Sequence, residues 1–438
     1  MSQIKLRNFW TFIEPLDKVF IRNKKYGSKL IVMGTNKVKK KTVDDLALFG
    51  GNPEFKKVLH VGQPLIGNRD SLLDRINDIL DRQWLTNNGI YVREFEERIA
   101  RLVGVKNCIA ICNATVALEI AARALGLSGE VIVPSFTFIA TAHSLMWQEI
   151  TPVFCDVDPL THNIDVNKIK SLITPKTTGI LGVHIWGRAC DIEALTAISN
   201  RYNLKLYFDA AHAFGCSNQG RSIGSFGDAE VFSFHATKFI NILEGGAIVT
   251  NNDELAEKIR LMRNFGFSGM DNVIYIGTNG KMNEISAATG LTELESMQTF
   301  IEVNHRNYLT YRKHLQDIPG LKLVQFSEKE DNNYQYIVVE VNEDLIRISR
   351  DILIQVLHAE NVRARRYFYP GCHRMEPYRS YYPNAGLLLS ETENLVRKVL
   401  VLPTGTSVSE EDIENICDLI RFCIDNGEEI RSHFQLID

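Results

Sequence analysis

No Gly-x-x-x-x-Gly-Lys-Ser/Thr phosphate loop occurs in this 438-residue chain, and no Gly-x-Gly-x-x-Gly fingerprint follows a predicted strand. A P-loop nucleotide hydrolase and an ordinary dinucleotide oxidoreductase therefore lose support. His-Glu-x-x-His is absent, and with it the helical zinc-protease site. The eight cysteines (Cys108, Cys112, Cys155, Cys190, Cys216, Cys372, Cys417, Cys423) contain no Cys-x-x-Cys pair, which argues against a zinc ribbon or a thioredoxin-type motif. No apolar run approaches the ~20 residues that a membrane helix needs. A net charge of −4 gives no electrostatic case for nucleic acid as a main partner. What is left is an ordinary globular composition, 45% hydrophobic and 23% charged, read as a cytoplasmic protein with reduced thiols and no membrane or nucleic-acid partner.

The chain is organised unevenly. Residues 1–41 carry eleven Lys or Arg against two acids, Glu14 and Asp17. They read as a basic extension, to about residue 45, that either touches anionic partners or is loosely ordered; translation starting at Met33 is a further reading. Beyond it, apolar spacing predicts helices over Ser71–Arg82 and Tyr91–Leu102. Short apolar strands then alternate with helices from Ile109 to Arg263, the pattern of a largely parallel sheet covered on both faces. Such sheets bind ligands at the carboxyl ends of their strands. Two helices, Ser286–Phe300 and Val303–Leu315, lead into a mixed segment with a strand over Tyr334–Val341. The division expected is a large α/β domain over 46–300 and a smaller C-terminal α+β domain over 301–438.

Three motifs fall at predicted strand ends. Cys112-Asn113-Ala114-Thr115 precedes a helix, whose free N–H groups and positive dipole end suit a phosphate; a plain N-cap is the other reading. Asp209, in Tyr207-Phe208-Asp209-Ala210-Ala211-His212, ends a buried strand, where a carboxylate needs a charged or hydrogen-bonding partner or serves as a cap. Lys238, in Phe232-Ser233-Phe234-His235-Ala236-Thr237-Lys238, follows another strand, either as a surface residue or as a nucleophile of lowered pKa. An acid 238 − 209 = 29 residues before a lysine, with an anion-type helix start upstream, meets the three needs of pyridoxal phosphate (PLP): an amine, an acid for the pyridine nitrogen and a phosphate cup.

Over roughly residues 60–425 these segments resemble the DegT/DnrJ/EryC1/StrS family of sugar aminotransferases. The likeness rests on Trp84-Leu85-Thr86-Asn87, on Asn113 through Glu119, on Val133 through Phe138, on Asp209 through Gly215, on Phe232 through Lys238, on Glu244-Gly245-Gly246 and on Gly277 through Glu284. It implies the fold-type I PLP aminotransferase, with a mostly parallel sheet of the seven-stranded type. It also implies roles. Lys238 holds the cofactor covalently and later moves the proton, and Asp209 faces the pyridine nitrogen. His212 lies near the ring oxygen. Ser233 and the Ala114 and Thr115 amides form the phosphate cup. Phe138 lies on the ring face or, in the plainer reading, packs in the core. Asn279 reaches the phosphate from a partner subunit, so the resemblance implies a homodimer. The Thr-Asn loop departs from the family, reading Asn88-Gly89-Ile90 where Gly-Pro is common, and its shape is left open.

The segments around His184, Gly277–Glu284 and Arg365–His373 look most like the viosamine branch, whose members aminate C4 of dTDP-4-keto-6-deoxyglucose with L-glutamate as donor. Amination at C3, a UDP- or GDP-linked sugar, and a non-catalytic sugar-binding protein are the competing readings. His184, Arg365, Arg366 and His373 are the candidate substrate residues. For Arg365, Arg366 and His373 the role is binding the sugar diphosphate, against the alternative of a solvated basic loop.

Overall fold

A computed structural model describes residues 40–435. The expectations for the basic extension therefore lie almost wholly outside the described residues. Its last residues do not behave as a solvated arm. Lys40 is buried and pairs with the buried Glu360 carboxylate at 3.0 Å, while that carboxylate also accepts the Ala47 and Glu54 N–H groups.

Two helices open the regular structure, α1 (Arg69–Arg82) and α2 (Ile90–Val103). Strands and helices then alternate: β1 (Asn107–Ile111), α3 (Ala114–Ala124), β2 (Glu130–Pro134), α4 (Ile139–Met146), β3 (Thr151–Cys155), α5 (Val166–Leu172), β4 (Thr177–Val183), α6 (Ile192–Tyr202), β5 (Lys205–Asp209), β6 (Ala229–Ser233), β7 (Gly246–Thr250) and α7 (Asp253–Arg263). The seven strands make one sheet in the order β1-β7-β6-β5-β4-β2-β3. Only β7 runs antiparallel to its neighbours.

Strand side chains alternate between two apolar layers, as the period of two requires. Cys108, Ala110, Ile132, Ile180, Leu206, Phe208 and Phe232 face a layer that includes Val92, Phe95 and Ile99 of α2 and Leu195 of α6. Ile109, Ile111, Val131, Val133, Leu181, Tyr207 and Val231 face the other, with Ala117 and Leu118 of α3, Leu145 of α4 and Ile259 of α7. Strands buried on both faces are why the sequence reads as unbroken apolar runs there.

The next element differs from its expectation. Instead of two helices, a single 32-residue helix, α8 (Glu284–Leu315), runs through. Between Phe300 and Val303 lie only Ile301 and Glu302, with no Gly or Pro to break it. It leads into a three-stranded antiparallel sheet of β8 (Leu321–Leu323), β9 (Ile337–Val341) and β10 (Val399–Leu402). Helices α9 (Arg350–Ala359), α10 (Ser390–Lys398), α11 (Glu410–Asp425) and α12 (Gly427–Gln435) belong to this part. Its core draws in Val43, Leu46, Phe55 and Leu59 from the beginning of the described chain. Residues 43–59 thus pack with the C-terminal elements rather than with the large sheet. Among the described residues, no helix is long and apolar enough to cross a membrane.

Candidate active site

The carboxyl ends of β1, β5 and β6 gather the candidate residues, and the register shows how. Gly246, the first residue of β7, pairs with Ile111 on one side and Ser233 on the other. A Cβ at Gly246 would lie 2.7 Å from the Ala114 nitrogen, so a residue without a side chain is what lets α3 begin against the sheet. The Asn113 side chain caps α3 by accepting the Val116 N–H at 2.9 Å. The N-cap reading therefore holds, but it uses only the third amide of the helix. The Ala114 and Thr115 N–H groups take no acceptor among the described residues. Gly246, which lies against Ala114, is the ladder partner of the buried Ser233, whose hydroxyl accepts the His235 N–H at 3.4 Å. Two unpaired amides at a helix start are an anion site in waiting.

Asp209 closes β5 and is 6% exposed. One carboxylate oxygen accepts the Ala211 N–H at 3.0 Å and the other accepts the Thr141 hydroxyl at 2.8 Å. Since Thr141 donates its only proton to Asp209, the Thr137 hydroxyl, 2.9 Å away, must be the donor to Thr141. Sequence reasoning missed Thr141. Its signal was its place one turn after Phe138, on the helix that follows β2.

Lys238 sits in the loop between β6 and β7, on a tight turn where its N–H donates to the His235 carbonyl at 2.8 Å. The residue as a whole is half-buried but its amine is enclosed, and burial pushes the pKa down to about 8, with the Asp209 charge opposing the shift. About a tenth of the amine is then neutral at pH 7 and about half at pH 8, able to act as a nucleophile. The amine lies 3.5 Å from the buried Tyr336 hydroxyl, which the sequence did not single out.

His212 is buried under three aromatic rings, with centroids 4.2 Å away for Tyr336 and 5.8 Å for Trp186 and Phe368. Its Nδ1 accepts the Trp186 N–H at 3.3 Å, which assigns the ring proton to Nε2. Burial and the nearby Lys238 charge hold the imidazole well below its usual pKa, so it is neutral. Phe138 caps the start of α4 and is 58% exposed, so the core-packing reading fails and a ring-facing role stays open. Asn279 is exposed on the loop that follows α7.

The structure departs from expectation at two substrate candidates. His184 is fully buried: its Nε2 faces Glu230 at 3.2 Å, its Nδ1 accepts the Cys190 N–H at 3.0 Å, and its ring stacks on Phe208. His373 is 2% exposed, with Nδ1 2.7 Å from the Ser135 hydroxyl and Nε2 2.8 Å from Glu393. Both rings spend both nitrogens on protein groups, so neither can bind a diphosphate as placed. Arg365 and Arg366 are exposed. Arg366 also pairs with Asp351 at 3.1 Å.

The open Thr-Asn loop takes a definite shape. Asn87 and Asn88 both adopt left-handed φ, and the Glu284 carboxylate accepts the Tyr91 and Val92 N–H groups at 2.9 and 3.0 Å. A side chain at position 89 would overlap that carboxylate, which accounts for Gly89. The sequence Gly220-Arg221-Ser222-Ile223-Gly224 matches the spacing of a nucleophile elbow. It forms a small antiparallel hairpin with Ser217–Asn218 rather than a strand-to-helix turn, and so is no hydrolase site.

Comparison with known proteins places the chain in a family. The family model of the DegT/DnrJ/EryC1/StrS aminotransferases matches residues 68–421. A dTDP-4-amino-4,6-dideoxy-D-glucose transaminase of Shigella dysenteriae is 39% identical over 84% of this chain and 99% of its own length. A GDP-perosamine synthase of Caulobacter vibrioides is 35% identical over 78% of the chain and 92% of its own. Among solved structures, DesI in the presence of its TDP-sugar product is 48% identical, superimposes with a TM-score of 0.87, and covers 90% of this chain and 100% of its own. Aminotransferases of this family are PLP-dependent. The loop lysine beside the strand-end acid, the helix start free of acceptors and the match over most of the chain lead to one assignment: the protein belongs to the DegT/DnrJ/EryC1/StrS family and is a sugar aminotransferase.

Proposed function

We propose that the chain uses PLP to transfer the amino group of L-glutamate to a nucleotide-linked keto sugar, converting dTDP-4-keto-6-deoxy-D-glucose to dTDP-4-amino-4,6-dideoxy-D-glucose. The observation that carries the chemistry is the Lys238 amine, its pKa lowered by burial, set on the same sheet edge as Asp209 and the unpaired amides of Ala114 and Thr115. The choice of sugar is supported by the Shigella transaminase and by DesI.

The residues fit the cofactor. The α3 amides and the Ser233 hydroxyl suit its phosphate, Asp209 its ring nitrogen, the Nε2–H of His212 its ring oxygen and the Phe138 ring its face. Bound PLP supplies an electron sink for the pair released when a substrate carbon loses its proton. Asp209, held by Thr141 and Ala211, presents a fixed negative charge that keeps the sink cationic. The Nζ of Lys238 would take the proton from the amino donor's α-carbon and deliver it to the former aldehyde carbon of the cofactor, and would run the same transfer in the opposite direction on the sugar. Arg365 and Arg366 offer positive charge to the diphosphate.

A homodimer completes the site in this reading, with the partner subunit's Asn279 at the phosphate. The loop that carries Asn279 supports it: Met270 is 88% and Ile276 73% exposed, and Phe265, Val273 and Ile274 are exposed beside them. Such a patch on one subunit is what a partner covers.

The test is spectroscopic. Protein reconstituted with PLP is expected to show a visible band that bleaches with L-glutamate and returns with dTDP-4-keto-6-deoxy-D-glucose, but not with its GDP- or UDP-linked or C3-keto counterparts. Lys238→Ala abolishes both changes. Bleaching without return discards this sugar and retains transamination. Absence of any band overturns the enzyme reading in favour of a sugar-binding protein.

A further inference from the structure

Tyr336 comes from the C-terminal part of the chain, yet its hydroxyl stands 3.5 Å from the Lys238 amine. The Tyr334–Val341 segment was expected to be all strand, but β9 begins only at Ile337. The residues before it leave the sheet and dock on the loop that bears the lysine. Asn333 donates to the His212 and Phe214 carbonyls, each at 3.0 Å, and Gln335 reaches the Thr237 carbonyl at 3.5 Å. Asn304, from the middle of α8, donates to the Asn333 carbonyl at 3.0 Å and to the Gln335 side chain at 3.1 Å. All four side chains are at most 7% exposed.

A buried run of Asn, Gln and Tyr is costly unless every polar group is used, and apolar residues would pack the same space more cheaply. Here the run contacts Thr237 and Lys238 in succession, and His212 as well. Among the described residues Lys238 forms no salt bridge, and the Tyr336 oxygen is the hydrogen-bond partner of its amine.

We infer that Tyr336 is a positioning residue that holds the Lys238 amine, through its phenolic oxygen, whenever that amine is free, with Asn333, Gln335 and Asn304 fixing the tyrosine in place. Burial keeps the phenol protonated throughout. It can therefore accept a hydrogen bond from the ammonium or donate one to the neutral amine. A bond to the cation is the stronger of the two, so the contact favours the protonated amine.

This inference rests on the aminotransferase reading for its catalytic consequence, but the contact can be tested without cofactor. In cofactor-free protein, the rate at which an amine-acylating reagent modifies Lys238 is followed against pH by peptide mapping. Tyr336→Phe keeps the ring against His212 and removes only the oxygen. The midpoint is expected to move to lower pH, and in reconstituted protein the glutamate-driven half-reaction is expected to slow about tenfold, the scale of one hydrogen bond to a charged group. Half-saturation by glutamate and the melting temperature should stay at wild-type values. If both the midpoint and the half-reaction rate match wild type, Tyr336 does not position the lysine. If wild-type protein itself fails to bleach with glutamate while the midpoint still moves in the variant, the proposed reaction falls and the contact stands. Gln335→Leu, which leaves the phenol in place but removes its support, should shift the midpoint in the same direction by less. A midpoint that stays put in Tyr336→Phe but moves in Gln335→Leu would also overturn the inference.

Discussion

Thr141 donates its hydroxyl proton to the Asp209 carboxylate at 2.8 Å, and both side chains are buried. The contact joins the first turn of α4, the helix that follows β2, to the end of β5, a different strand of the same sheet. Replacing Thr141 by Val conserves shape and deletes the donor. A hydrogen bond to a charged group is worth about 1.5–3 kcal/mol. Thr141→Val is therefore expected to weaken PLP binding by roughly one order of magnitude, while Thr141→Ser retains most of it. Titration of the cofactor-free protein with PLP measures both; equal affinity in wild type and Thr141→Val would mean that the bond does not serve the cofactor site.

The same pair shows where sequence reasoning succeeds and where it stops. Asp209 and Lys238 were legible because each ends or follows a strand with unbroken apolar character, and a charge in that position needs a reason. The sheet was legible for the same cause. Thr141 carries no such signal, since a threonine in a helix is unremarkable until its partner is known. Tyr336 was hidden further, because an alternating segment predicts a strand through Tyr334–Val341. Only the tertiary demands of Asn333 and Gln335 pull its first residues out of the ladder. His184 and His373 misled for the converse reason: a histidine after a strand or in a basic loop looks available, and here both rings are used up by protein partners.

Gly246 allows a sharper test of the phosphate cup. An alanine there would place its Cβ 2.7 Å from the Ala114 nitrogen and 2.8 Å from the Asn113 carbonyl carbon, both backbone atoms that cannot swing aside. Gly246→Ala is expected to push the start of α3 away, costing about 1–3 kcal/mol of stability and most of the PLP affinity. Chemical denaturation and cofactor titration check the two parts separately. Stability lost with affinity unchanged would show that the helix start is not the cup.

The half-buried Lys238 makes a prediction about pH. Its amine has a folded-state pKa of about 8 against an ordinary 10.5. The fold thus disfavours the cation. The penalty is fully present below about pH 8, shrinks as pH rises from 8, and is gone above 10.5. In cofactor-free protein near pH 7, Lys238→Met should therefore raise stability, by about 1–2 kcal/mol after allowing for solvent screening of a half-buried group. Thermal melts of wild type and Lys238→Met should converge as pH rises toward 10.5. A gap that stays constant with pH would place the effect in packing instead.

His184 is predicted to matter for stability and not for the sugar. Among the described residues it is the side chain that hydrogen-bonds Glu230, and the other two groups on that carboxylate are the Gly224 and Phe226 N–H groups at 2.8 and 2.7 Å. His184→Ala removes one partner of a fully buried pair and leaves a cavity beside Phe208. A loss of about 3–5 kcal/mol is expected by urea denaturation. The surviving folded fraction should keep the wild-type KM for the nucleotide sugar, because the ring faces the interior of the sheet layer and not its carboxyl edge. A raised KM with unchanged stability would restore His184 to the substrate site. The contrast with Arg365 and Arg366 sharpens the test. Those side chains are exposed, so their replacement by Ala should raise KM and leave the denaturation midpoint within about 0.5 kcal/mol of wild type.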